Sequence, residues 1–80
     1  MKLYKIYWRD ITGVGSSWAK IEEIKEEAEK AWKAGHETVG CIIHETKHYI
    51  VVASTIDAEK KEYGDATMIP KAVIVSKEVI

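Results

Sequence analysis

Val39-Gly-Cys-Ile-Ile-His-Glu-Thr-Lys-His-Tyr-Ile-Val-Val-Ala-Ser54 decides how this chain folds. It holds the densest β-branched run in the sequence, and Thr46-Lys47, flanked by Glu45 and His48, reads as the tip of a β-hairpin. In the first strand Val39, Cys41 and Ile43 alternate with Gly40, Ile42 and His44. In the second, Tyr49, Val51 and Ala53 alternate with Ile50, Val52 and Ser54. A hairpin with one wet face alternates apolar with polar residues. Here both faces are apolar, so each side needs a cover.

Working upstream, residues 18–34 read as the one helix. Trp18, Ile21, Ile24, Ala28, Ala31 and Trp32 recur at helical spacing and form one apolar stripe. Glu26 with Lys30 and Glu29 with Lys33 are i, i+4 pairs in the favourable order, and Gly35 supplies the stop. Before the helix lies Thr12-Gly-Val-Gly-Ser-Ser17, a loop in which Ser16 or Ser17 can cap the first turn. Glycines feeding a helix N-terminus favour an anion, although neither a P-loop nor Gly-x-Gly-x-x-Gly is present. Residues 2–11 read as the first strand, with Leu3, Tyr7 and Ile11 on one side and Tyr4, Ile6 and Trp8 on the other.

Downstream, residues 57–67 are polar, contain Gly64-Asp65, and read as a mobile loop. Pro70 cannot donate to a ladder, so it belongs at an edge or before the last strand, residues 72–79. The expected fold is α+β: a four-stranded antiparallel sheet in the order β-α-β-β-β, forming one domain, with one helix packed on one face. That helix spans roughly 25 Å and covers a single face. Ile42, Ile50, Val52 and Trp8 would then line the other, and burying each large group is worth roughly 1.5–3 kcal/mol. Self-association through the sheet, as a dimer or tetramer, is the expected remedy.

Composition narrows the function classes. Eighty residues with 12 basic and 13 acidic side chains give a net charge of −1, which disfavours a long nucleic-acid partner. No apolar run reaches the length of a membrane span, and the N-terminus has no apolar signal segment; the expectation is a cytoplasmic protein without a membrane partner. The lone Cys41 lies in an apolar strand, so a buried, inert thiol is expected. His44, Glu45 and His48 bracket the turn but do not complete a zinc set. No spacing singles out an acid, base or nucleophile, so the chain is read as a non-enzyme without a cofactor.

What rises above background is aromatic. Three Trp and four Tyr occur with no Phe, and Tyr or Trp rings often keep one wet edge. Aromatic faces stack nucleobases while Arg and Lys pair with phosphate. The ligand-binding residues expected on this basis are Trp8, Arg9, Asp10, Thr12, Gly13, Ser16, Trp18, Tyr49, Asp65 and Lys71. Trp18 has two readings, stapling the helix to the sheet or stacking on a base.

Over nearly its whole length the chain resembles small bacteriophage proteins. The likeness rests on Trp8-Arg-Asp10, a Gly-containing loop ending in Trp18, and a helix, then Val39-Gly40, His44-Glu45, Tyr49-Ile50-Val51, Gly64 and Ile69-Pro70-Lys71-Ala-Val-Ile74. It resembles the anti-CBASS sponges, which capture cyclic-nucleotide alarm signals without cleaving them. The resemblance implies immune evasion by a homo-oligomer holding a cyclic dinucleotide, such as 3'3'-cGAMP, between protomers. Two alternatives stay open. One is a module that docks on a host protein; the other is a small RNA-binding module, because the lysine-bearing turn before the last strand looks like the closing strand of an Sm-like barrel.

Overall fold

The computed structural model describes residues 2–15 and 17–80. Five strands and one helix follow in the order β1 (Tyr4–Trp8), α1 (Ile21–Lys33), β2 (His36–Glu45), β3 (Tyr49–Asp57), β4 (Glu62–Pro70) and β5 (Ile74–Val79), with a 3-10 turn, Lys71–Val73, before β5. The class is α+β and the sheet is antiparallel, as expected. It has five strands rather than four, in the order β4-β3-β2-β1-β5.

The extra strand corrects the reading of residues 57–67 as a loop. β3 and β4 keep a single register from Tyr49 opposite Pro70 to Asp57 opposite Glu62. Only the residues between these strands turn the chain. There the Asp57 carboxylate accepts from the backbone N–H groups of Glu59 and Lys60, both at 3.1 Å, and Lys61 takes a left-handed φ of 55°. An Asx-type contact of this kind fixes a tight turn without glycine. Pro70 ends the edge strand β4, where its missing donor costs no ladder bond.

The central hairpin is as expected, and its first strand is bent. Residues 36–40 of β2 pair with β1, whereas from Cys41 onward β2 pairs with β3, with a register shift between Ile42 and His44. Gly40 sits at the corner. A Cβ placed there would lie 2.4 Å from the Ala53 carbonyl oxygen and 2.8 Å from a Val52 methyl. A strand that changes partners at a glycine lets a sheet fold over itself.

The turn between β4 and β5 makes that curl compulsory. In a flat sheet four strand spacings would separate these outer strands by about 19 Å, yet the four Cα steps from Pro70 to Ile74 reach at most about 14 Å. Lys71 N–H donates to the His48 carbonyl at 2.8 Å, and Arg9 N–H to that of Val73 at 3.0 Å, pinning the turn between the ends of β1 and β3. The interior so enclosed holds Ile6, Ile50, Val52 and Ile69, each no more than 1% exposed, with Tyr4, Trp8, Ile42, Val73 and Ile74 packed around them. Ile42, Ile50, Val52 and Trp8 therefore form the inside of the sheet, not an uncovered back. Cys41 is buried and unpaired, as expected.

The helix departs furthest from expectation. It begins at Ile21 rather than residue 18, its N-cap is Lys20 with no side-chain cap bond, and none of its residues is buried. It covers no face of the sheet. Instead it is held at points: Gly15 N–H donates to the Glu27 carboxylate, and the Arg9 side chain to the Trp32 carbonyl. Gly35, just past its end, lies against the Tyr7 ring so closely that a Cβ would come 2.3 Å from it. With the helix and the outer part of the β3–β4 ribbon both exposed, the molecule measures 55 × 22 × 22 Å and its radius of gyration is 16.3 Å, against about 12 Å for a compact chain of this length.

The corner makes a direct prediction. Gly40→Ala should lower unfolding stability in urea by about 2 kcal/mol, because the colliding atom is backbone. Gly64→Ala, where the nearest atom lies at 3.5 Å, should stay within about 1 kcal/mol of wild type. Equal midpoints for wild type and Gly40→Ala would show that the corner has slack.

Candidate functional site

A cleft of about 550 Å³ lies between the loop after β1, the C-terminal half of α1, and the 3-10 turn leading into β5. Its volume falls in the range of small-molecule sites. Ile11, Val14, Ala28, Ala31, Val73 and Val75 make the lining mostly apolar, and Arg9, Asp10 and Thr12 add polar groups to it. The cleft exists because α1 stands off the sheet: its stripe faces the body without sinking into it.

Arg9 is the best-fixed of these groups. Its backbone extends β1 through the bond to Val73, and its Nε–H donates to the Trp32 carbonyl at 2.6 Å, at the negative end of the helix dipole. The guanidinium carbon lies 4.3 Å from the Trp32 ring centroid and 5.5 Å from that of Tyr7. Two rings and a carbonyl thus hold the plane of the guanidinium. Its contacts with described residues occupy Nε and the faces, leaving the two terminal amino groups for an anionic oxygen. Asp10 accepts from the Ile11 N–H at 2.7 Å, and the Thr12 hydroxyl lies 3.5 Å from the Asp10 carbonyl.

Of the residues expected to bind ligand, Arg9, Asp10 and Thr12 meet in this cleft. Trp8 lies on the core, its Nε1–H donating to Thr38 Oγ1 at 3.0 Å and its ring stacked 4.7 Å from that of His36. Gly13 is in the loop with no atom within 4 Å of where a Cβ would stand, so no close approach requires glycine there. Trp18 is 93% exposed, ahead of the helix and outside the cleft lining. Tyr49 begins β3 beside the His44 ring. Asp65, with a φ of 51°, accepts from the Thr55 hydroxyl at 3.0 Å on the β3–β4 ribbon. Ser16 lies outside the described residues.

Lys71 belongs to a second, smaller concavity of about 270 Å³ with Glu45, Ile50, Ile74 and Lys77. Its ammonium is 2.7 Å from the Glu45 carboxylate. The anion expected at the glycine loop is supplied by the protein itself, since Glu27 takes the Gly15 N–H and Glu22 and Glu23 occupy the first helical turn. Among the described residues no three His, Cys, Asp or Glu side chains gather as a metal set, and no helix is long and apolar enough to cross a membrane.

Sequence reasoning missed the cleft's far wall. In the sequence Trp32, Ala28 and Ala31 read as part of one apolar stripe, and residues 72–79 as the last strand. The available signal was Trp32 itself, a large ring in the last helical turn beside a cationic residue that could reach it only through the fold.

The hydrogen bond and the charge of Lys71, helped by the charge of Lys77, hold the Glu45 carboxyl below the usual carboxylate range. A folded-state value below the unfolded one stabilises the fold above the ordinary range and is lost as pH falls through the depressed value. The urea midpoint of wild type should therefore drop more steeply on acidification than that of Glu45→Gln, by a small margin because the pair is exposed. Parallel curves would show that the ion pair has no share in acid stability.

No protein-family model, curated protein or solved structure matches this chain.

Proposed function

We propose that this chain is a non-enzymatic binding protein that captures a small cyclic nucleotide in the cleft beneath α1, as an anti-CBASS sponge serving phage immune evasion in the host cytoplasm. The observation that carries this reading is Arg9, locked between the rings of Trp32 and Tyr7 with its Nε–H on the Trp32 carbonyl at 2.6 Å. A guanidinium fixed in one plane presents paired N–H groups to phosphate oxygens with little ordering cost left to meet. Asp10 and Thr12 offer an acceptor and a hydroxyl for base edges, and the apolar walls suit ribose and ring faces. A net charge of −1 favours a small ligand held by one fixed cation over a long polyanion held by many.

A second reading, docking on a host protein, draws on β5. It is an edge strand whose Val75 and Val79 are 51% and 54% exposed, and such an edge accepts strand addition. Pull-down from host lysate with a specific, saturable partner would favour it.

Incubating the protein with 3'3'-cGAMP, removing free ligand, heating to denature the protein and analysing the supernatant tests the first reading. Intact ligand should be recovered, and Arg9→Lys should weaken binding by about tenfold, because a lysine neither forks nor stacks in the same way. Degraded ligand would make the protein an enzyme, and absence of binding would end the proposal.

A further inference from the structure

The register of the sheet puts two charged side chains on its apolar inner face. Residues directly opposite in an antiparallel pair share a face. Lys77 of β5 stands opposite Ile6, which is 0% exposed, and Glu45 of β2 stands opposite Ile50, which is 1% exposed. Charges are costly beside a core, and these two stay near water because they sit at its mouth. With Lys71, Ile50 and Ile74 they line the smaller concavity, of about 270 Å³. Ile50 and Ile74 supply an apolar floor, and three charged side chains from β2, the 3-10 turn and β5 converge over it. A few polar groups over an apolar floor, at the mouth of a curled sheet, is a common form of ligand site.

The charges in this mouth are not balanced. Glu45 is taken by Lys71 at 2.7 Å. Lys77 forms no ion pair among the described residues. Its ammonium stands 5.7 Å from the Tyr4 ring centroid, which leaves its N–H donors for an acceptor from outside. Two ammoniums against one carboxylate give the mouth a positive charge, in a chain whose net charge is −1. An inward charge on an edge strand can simply guard it against pairing. That role needs neither a concavity beside the charge nor the Glu45–Lys71 pair next to it.

We propose that this mouth is a further binding site, which takes a small organic carboxylate. The ligand's carboxylate pairs with the Lys77 ammonium, and its apolar body lies on Ile50 and Ile74. Glu45 repels a second negative charge, so the site selects a monoanion over phosphate. The volume of about 270 Å³ is that of about nine water molecules, the size of an acid such as benzoate. The concavity shares Ile74 and no charged group with the cleft beneath α1. The proposal therefore goes beyond the nucleotide reading and does not rest on it.

Proton–nitrogen correlation NMR of the full chain, titrated with sodium benzoate at constant ionic strength, tests the site. The amide signals of Glu45, Ile50, Ile74 and Lys77 should shift together and saturate. Benzamide, the neutral analogue, should bind at least about tenfold more weakly, since it lacks the charge that Lys77 pairs. Lys77→Met keeps the apolar stem and should weaken benzoate by about tenfold, while Lys77→Arg should retain most of the affinity; a dispersed spectrum reports that each variant is folded. No saturating shift at these residues would overturn the proposal. So would benzamide binding as tightly as benzoate, or a folded Lys77→Met with unchanged benzoate affinity, which would leave Lys77 as an edge guard. Inorganic phosphate matching benzoate at the same amides would also overturn it, since the mouth would then attract any anion.

Discussion

The structure depends on one geometric constraint: β4 and β5, at opposite ends of the strand order, are joined by only the three residues Lys71–Val73. A sheet of five strands cannot lie flat with its edges tied so closely. It has to curl, and it curls at Gly40, where β2 exchanges β1 for β3 as its partner and no side chain could fit against the Ala53 carbonyl. Closure turns one apolar set toward a common interior, while Val39, Met68, Val75 and Val79 stay on the outside. Ile6, Ile50, Val52 and Ile69 are sheltered by the sheet itself, without help from the helix.

That division of labour explains the helix. Because the sheet fills its own inside, α1 has no apolar face to cover, and it stays outside the body on a few specific bonds. The cleft follows from the stand-off. Its polar lining is organised by Arg9, which follows the last residue of β1, meets the helix C-terminus and stacks on Trp32. The same residue thus holds the helix in place and gives the cleft its cation. A side chain tied at both its Nε and its ring faces has few conformations left to lose, which is preorganisation in the physical sense.

The exposed surfaces have a common origin as well. A domain of this size buries a modest fraction of its chain, and here the projecting helix and the β3–β4 ribbon reduce that fraction further. On the helix the residues follow an ordered pattern, large then small along the apolar stripe and acidic then basic from start to end. The ribbon shows no such order. Its outer half is stabilised by the backbone ladder, the Asp57 turn and the Thr55–Asp65 bond.

The sequence by itself determined the α+β class, the hairpin across Thr46-Lys47, the apolar faces of β1 and β3 and the burial of Cys41, and it confined Pro70 to an edge or to the approach of the last strand, because alternation, β-branching and proline chemistry are local. It also brought forward Arg9, Asp10 and Thr12, which are neighbours along the chain. Tertiary structure alone decided what covers the sheet, since a two-faced apolar strand is satisfied equally by a helix, a partner or the sheet's own curl. β4 was illegible because Glu62-Tyr-Gly-Asp-Ala-Thr lacks the alternation of a strand and is held by its ladder with β3. The cleft was illegible for the same kind of reason: residues 9–12, 28–32 and 72–75 are distant in the chain, and only closure of the sheet brings them to one place.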